Sequence, residues 1–431
     1  MTIGGQTTSA AQLAATELDS RYKGMPLGAT STLGDIAKQG WNVLRGDLSL
    51  PVTTLRADAL EHNLRTMAAY ADRYGALLAP HGKTTMSPQI FWRQMEAGAW
   101  AITAATPSQV AIMRAYGIPR IVLANELVEP AALRWIAHEL ADPDFEFYCL
   151  VDSPETVAMM SAVLDTVPGA PQVNVLVEVG VVGGRTGSRS LAEVLDTAAA
   201  VGQAPLLRLA GVEAYEGLAG REGTPSDLAA VDAFLDRVHD AVTSLAERGD
   251  FDADPIVSAG GSVYFDRVVA RLNNWSGSRA TPNLVLRSGC YVSHDAGRYH
   301  RVSPLDGRRG PYEELRLHDA LQTWAVVLSR PEPTLAILGV GKRDVPYDVD
   351  LPVPQALHRP GGATTEVAGR AVITKLMDQH AFVTVDEDLD IRTGDVVSLG
   401  LSHPCGAFDK SRLVPLIDES GDVVDAILTF F

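Results

Sequence analysis

Residues 76–98 read ALLAPHGKTTMSPQIFWRQMEAG. A short apolar run stops at Pro80, a turn carries His81, Gly82 and Lys83, and Ser87 with Pro88 opens a stretch of helical periodicity that ends near Gly98. The order is strand, loop, helix. A lysine at the end of a buried strand is costly, because an ammonium taken out of water without a partner loses several kcal/mol or gives up its proton. Lys83 therefore either reaches solvent or has chemistry to do.

The same unit recurs along the chain. ALLAP (76–80), AITAA (101–105), IVLAN (121–125), FYCLVD (147–152), VNVLVEVG (173–180), LAGVEAY (209–215), IVSAGG (256–261) and LVLRSG (284–289) read as eight strands. Helical patterns such as TPSQVAIMRAYG and SPETVAMMSAVL lie between them, several opening on Ser or Thr followed by Pro. Near-continuous apolar strands separated by helices indicate a parallel sheet buried on both faces. Eight units in this length predict a closed (β/α)8 barrel over residues 50–305. Beyond it the texture changes: TWAVVLSRPEPTLAILGVG, HAFVTVD and DVVSLGLSHP are β-rich, with turn signals and no long helix between them. This predicts a second, mainly antiparallel β domain over 306–431, with residues 1–49 joined to it and PLDGRRGPYEE (304–314) as the boundary.

Composition narrows the partners. Thirty-six basic against 53 acidic residues give a net charge of -17, which argues against nucleic acid and against an anionic membrane surface. A small-molecule ligand fits better. The first twenty residues lack a basic start and an apolar signal core, and no window has the ~18 apolar residues of a spanning helix, so a cytoplasmic location is expected. Three cysteines, Cys149, Cys290 and Cys405, are too few and odd in number for a disulfide framework. Cys149, inside FEFYCLVD, reads as a core thiol.

In a barrel, active-site groups stand at the C-terminal ends of the strands. Lys83 follows the first strand; VGVVGGRTG follows the fifth, AYEGLAG the sixth, SAGGS the seventh and RSGCYVSHD the eighth. A glycine pair alone is usually a turn. Glycine turns at the last two strands, with N–H groups free to converge on an anion, are what a phosphate cup in a barrel requires. A lysine at one strand end and such a cup across the mouth describe pyridoxal 5′-phosphate held at both ends.

These segments, taken with APHGKTTMSPQIFWRQMEAGAWAITAATPSQV, IVLANELV, GVEAYEG and LGLSHPCGAFDK, resemble the D-serine dehydratase / D-threonine aldolase family of alanine-racemase-like, fold type III pyridoxal phosphate enzymes, in order from about residue 50 to 418. The resemblance implies the barrel, the β domain and a head-to-tail homodimer with its site at the domain junction. It implies Lys83 as the Schiff-base lysine, Arg185 as the cation near the cofactor's phenolate oxygen and Tyr215 facing the pyridine nitrogen. Gly260, Gly261, Ser262, Gly289 and Cys290 are the expected phosphate cup, with the backbone N–H of Cys290 rather than its sulfur in play. Glu213 and Glu216 stand close to Tyr215, and strand alternation puts Glu213 on the same face. The chain departs from the family in having Gly82 where valine is more usual and Thr85 where a histidine is.

SHPCGAFDK holds His403 and Cys405 two residues apart. In an extended chain both point the same way, so one metal could take nitrogen and sulfur, a pairing that suits zinc. On its own a His-x-Cys pair is more simply a buried thiol beside a structural histidine. The resemblance favours the metal, and implies cysteine at position 405 in the dehydratase branch and a carboxylate in the aldolase branch. The expected activity is therefore that of a pyridoxal phosphate- and zinc-dependent ammonia-lyase, removing the hydroxyl of a small β-hydroxy D-amino acid to give a 2-oxo acid and ammonia. Retro-aldol cleavage to glycine and an aldehyde is the rival reading, and a non-catalytic cofactor carrier is a third. Segment 211–217 has no arginine for the pyridine nitrogen, which speaks against racemisation.

Overall fold

In the computed structural model, which describes residues 7–276, 279–308, 310, 314–359 and 362–431, every one of the eight apolar runs is a strand. They are Leu77–Leu78, Ile102–Ala104, Arg120–Glu126, Glu146–Val151, Val173–Val179, Leu207–Ala214, Ile256–Ala259 and Asn283–Leu286. Each neighbouring pair in the sheet is parallel. The sheet runs in sequence order from Ile102–Ala104 to Asn283–Leu286 and then to Leu77–Leu78. A bridge between His81 and Thr103 joins its two ends, and the Thr103 N–H donates to Pro80 O at 2.8 Å. The barrel is closed.

Helices follow the strands, their starts fixed by capping chemistry. The side chains of Thr106, Ser153 and Ser190 each accept the N–H three residues on, and Pro107 and Pro154 stand at the first helical turn. Inside the ring, Ala79, Ala101, Val122, Tyr148, Leu150, Leu176, Ile256 and Val285 form an apolar plug. Toward the mouth the lining turns polar: Glu178 pairs in register with Glu213, and Glu213 with Ser258, on adjacent strands. Cys149 is a fully buried core thiol, and burial raises its pKa.

The long strand Leu321–Glu332 organises the antiparallel sheet, pairing with Val396–Gly400, Leu335–Leu338 and Val52–Arg56. The last of these corrects one expected boundary. Val52–Arg56 precedes a helix, as a barrel strand would, yet it lies between Leu321–Glu332 and Leu413–Ile417 in the β sheet. Eight strands already close the ring, so a ninth has no edge to join. Leu13, Leu18, Met25, Leu33 and Ile36 from the N-terminal segment pack with Trp324, Val396 and Leu413 of the same sheet. Part of the expected boundary, residues 309 and 311–313, lies outside the described residues. No helix among the described residues is long and apolar enough to cross a membrane.

Candidate active site at the domain junction

A cavity of about 160 Å³ opens where the barrel mouth meets the β domain. Lys83, Arg185, Tyr215, Gly261, Ser262, Gly289, Cys290, His403 and Cys405 line it, together with His81, Thr84, Arg287 and Tyr299. Of the ten residues singled out in the sequence, Gly260 is the one that does not line it.

Lys83 sits in a single tight turn, Gly82–Thr84. A Cβ at position 82 would come within 2.5 Å of Met113 and 2.9 Å of Ile102 and Phe91, which is the physical reason for glycine where the family more often has valine. Burial holds the Lys83 amine below its usual value, opposed by the two nearby thiols and reinforced by Arg185 and Arg287. The Nδ1 of His81 is buried without a hydrogen-bond partner, and burial followed by the Lys83 charge holds the imidazole well below its usual value. His81 is therefore a neutral ring beside the amine.

The Arg185 guanidinium lies 4.9 Å from the centre of the Tyr215 ring, a cation–π distance. Below them is an arginine that reading the sixth strand alone could not supply. Arg287, from the eighth strand, is 5% exposed. It pairs with Glu213, donates to Ala214 O at 2.9 Å and leaves its Nε without a partner. Burial raises Glu213 to about 7 despite this arginine. Glu126, at the end of the third strand, rises to about 9, through burial first and the neighbouring Glu178 carboxylate second.

The glycine cup differs from expectation. The N–H groups of Gly260 and Gly261 donate to the carboxylate of Glu216, at 3.1 and 2.7 Å. A fully buried carboxylate needs donors, and it takes these two. The Cys290 N–H donates to Ser262 Oγ at 3.3 Å. Gly289 packs so close to His81 that a Cβ there would lie 2.5 Å from the His81 carbonyl oxygen. The polar groups of this turn that border the cavity thus belong to Gly261, Ser262, Gly289 and Cys290.

Nor is Cys290 present only through its backbone. Its Sγ lies 3.6 Å from Cys405 Sγ, and Thr84 Oγ1 lies 3.4 Å from Cys405 Sγ. Cys290 is drawn down to about 6, chiefly by the hydrogen bond from Cys405, and the same contact pushes Cys405 up. Tyr299, on the turn Arg298–Val302, completes this wall.

The His403–Cys405 segment is not extended. His403 has a φ of 65°, a left-handed conformation uncommon outside glycine, and Cys405 begins a single helical turn, Cys405–Phe408, with Pro404 at its N-cap. The side chains reach one cavity because the chain folds back sharply. Asp348 Oδ2 lies 2.6 Å from His403 Nδ1, which leaves Nε2 to face elsewhere; a carboxylate on one ring nitrogen is the usual support of a metal-binding imidazole. Among the described residues no three of His, Cys, Asp and Glu are gathered tightly enough to hold an ion. A metal on His403 and Cys405 would complete its shell from water or substrate, as an open catalytic zinc does.

Asp295, buried at 1% exposure, ties the two domains together at this point. Its Oδ1 accepts the N–H groups of Gly297, Tyr299 and His300, and its Oδ2 accepts that of His403 at 2.9 Å.

Residues 55–271 match the family model of the alanine racemase N-terminal domain, and residues 320–417 that of a putative serine dehydratase domain. The chain is 30% identical to a D-threonine aldolase of Arthrobacter sp over 340 residues, 78% of this chain and 80% of the relative. It is 27% identical to a 3-hydroxy-D-aspartate aldolase of Paracoccus denitrificans, over 83% of this chain and 85% of that one. Its fold is shared with the crystal structure of D-threonine aldolase from Filomicrobium marinum, with a TM-score of 0.72 at 24% identity over 90% of this chain and 96% of the other. It is shared also with D-threo-3-hydroxyaspartate dehydratase from a Delftia species, with a TM-score of 0.71 at 20% identity over 90% and 99%.

Proposed function

Since this chain belongs to the D-serine dehydratase / D-threonine aldolase family of alanine-racemase-like lyases, we propose that it eliminates the hydroxyl of a small β-hydroxy D-amino acid, releasing a 2-oxo acid and ammonia. The observation that carries this reading is the meeting of Lys83, His403 and Cys405 in one cavity at the domain junction.

The residues fit pyridoxal 5′-phosphate. A lysine held toward its neutral form, an arginine and a tyrosine across from it, and the polar turn at Ser262 and Cys290 border the same space, where His81 Nδ1 and Arg287 Nε have no partner. When bound, the cofactor supplies an electron sink for the bond broken at Cα. Lys83 would hold it and serve as the base that removes the α-proton, a role for which burial suits its amine. Arg185 would balance negative charge at the mouth. Arg287, paired with Glu213, would supply a second cation to the same cavity. The donor set of an imidazole and a thiol likewise fits zinc, which when bound supplies Lewis acidity to a hydroxyl. Asp348 fixes the imidazole so that Nε2 is free for that purpose. The proposed assembly is a homodimer with this mouth at its interface, a reading that rests on the family resemblance.

Retro-aldol cleavage is the second reading, favoured by the 30% identity to a D-threonine aldolase. D-Threonine separates the two. Elimination gives 2-oxobutanoate and ammonia, whereas glycine and acetaldehyde as the products would overturn it in favour of cleavage.

A further inference from the structure

The two sulfurs at the junction come from different domains. Cys290 follows the eighth barrel strand, and Cys405 opens the turn after the β-domain strand Val396–Gly400. Their Sγ atoms are 3.6 Å apart, in contact but unbonded, and both border a cavity that a small oxidant can enter. Closing this gap to a disulfide needs each sulfur to move by less than about 1 Å, within reach of a side-chain rotation because the bond length is roughly 2.05 Å. The third cysteine, Cys149, is sealed in the core at 0% exposure and takes no part.

We propose that Cys290 and Cys405 form a redox pair that a peroxide closes into a disulfide across the domain junction, reversibly switching the site off. One sulfur attacks the peroxide O–O bond, giving a sulfenic acid and water. The second thiol attacks that sulfur, expels a second water and leaves the S–S bond. Two thiols thus give up two electrons and two protons, and hydrogen peroxide becomes two waters. The bridge would tie the barrel turn at 290 to the β-domain turn at 405 and put Cys290 and Cys405 beyond use as thiolates. Because Cys405 is one of the two groups placed on the metal, zinc and the disulfide exclude each other. This last point rests on the proposed metal role, and the bridge itself does not.

The test uses the purified full chain, stripped of metal by chelation and treated with hydrogen peroxide. Expected are a mass loss of two hydrogens, a fall from three free thiols to one in the denatured protein, and a cross-linked peptide pair containing Cys290 and Cys405. Dithiothreitol restores the thiols, and Cys290→Ser yields no cross-linked pair. Sulfinate at Cys405 without a bridged peptide, or a bridge between chains, overturns the proposal. Preloading with zinc should slow closure at least about tenfold. Equal rates with and without zinc would overturn the exclusion and with it the metal role of Cys405, while the bridged peptide would still stand on the mass data.

Discussion

The carboxylate of Asp295 accepts the backbone N–H of His403 at 2.9 Å, and so fixes a β-domain residue to a turn of the barrel. Its other oxygen holds three N–H groups of the turn that carries Tyr299. The two oxygens therefore have separate duties. Asp295→Ala is expected to cost roughly 3 kcal/mol in urea unfolding, the scale of leaving several buried donors unmet. Asp295→Asn, with its oxygen kept on the three-donor side, should cost less and weaken chiefly the hold on His403, read as zinc lost more readily to a competing chelator. Equal stability of all three proteins would show that the junction is held elsewhere.

Lys83 should be the point of covalent attachment. Borohydride reduction of the cofactor-loaded protein is expected to label the peptide containing Lys83, and Lys83→Ala to abolish both the label and turnover by at least about a thousandfold. Labelling of Lys342 would refute the assignment.

Metal removal should discriminate between leaving groups. Chelation, or Cys405→Ala, is expected to lower turnover of D-serine by roughly a hundredfold, equivalent to about 2.7 kcal/mol, while β-chloro-D-alanine is far less affected, since chloride departs unaided. Equal losses on both substrates with the fold intact would place His403 and Cys405 in positioning the substrate.

Glu126 predicts a dependence of stability on pH. Burial, and the neighbouring Glu178 carboxylate after it, raise its carboxyl from 4.5 to about 9, so the folded protein keeps a proton that the unfolded chain releases. Its contribution is full below pH ~4.5 and is lost as pH rises toward 9. Glu126→Gln carries no such proton. The variant should thus gain stability relative to the parent from pH 5 to pH 8 by about 2 kcal/mol, half the full linkage value because the side chain is partly exposed. A difference in unfolding free energy that stays flat over this range would mean that Glu126 is ionised in the folded protein.

The barrel was legible because its signal is local: eight apolar runs, each followed by a capped helix, state their own structure. Lys83 was legible for a related reason, since it stands at a strand end and a barrel gathers strand ends; Arg185 and Tyr215 were singled out by the family resemblance, and the structure brings both to the same cavity. Arg287 was in view within LVLRSG, but whether an inward residue meets Glu213 depends on the register between strands, which no single segment contains. Glu216 was named beside Tyr215, but its engagement escaped for the same reason. Its carboxylate claims the Gly260 and Gly261 N–H groups from 44 and 45 residues away in the chain, so a glycine turn that looks open in sequence is already engaged. Asp295 and Asp348 act on His403 across 108 and 55 residues, and nothing in their immediate neighbours marks them. The extended reading of His403–Cys405 failed because Pro404 and the left-handed His403 turn the chain there.

That left-handed backbone carries an evolutionary consequence. At a φ of 65° glycine or asparagine is the easier occupant, and a histidine is retained against a conformational cost of about 1 kcal/mol or more. On the proposed metal role, the imidazole's function is what would oppose drift to the smaller residues at position 403. In a duplicated copy released from catalysis, this is a position where glycine or asparagine would spread early and raise stability as it did so, and its presence would mark a descendant that has given up the reaction while keeping the fold.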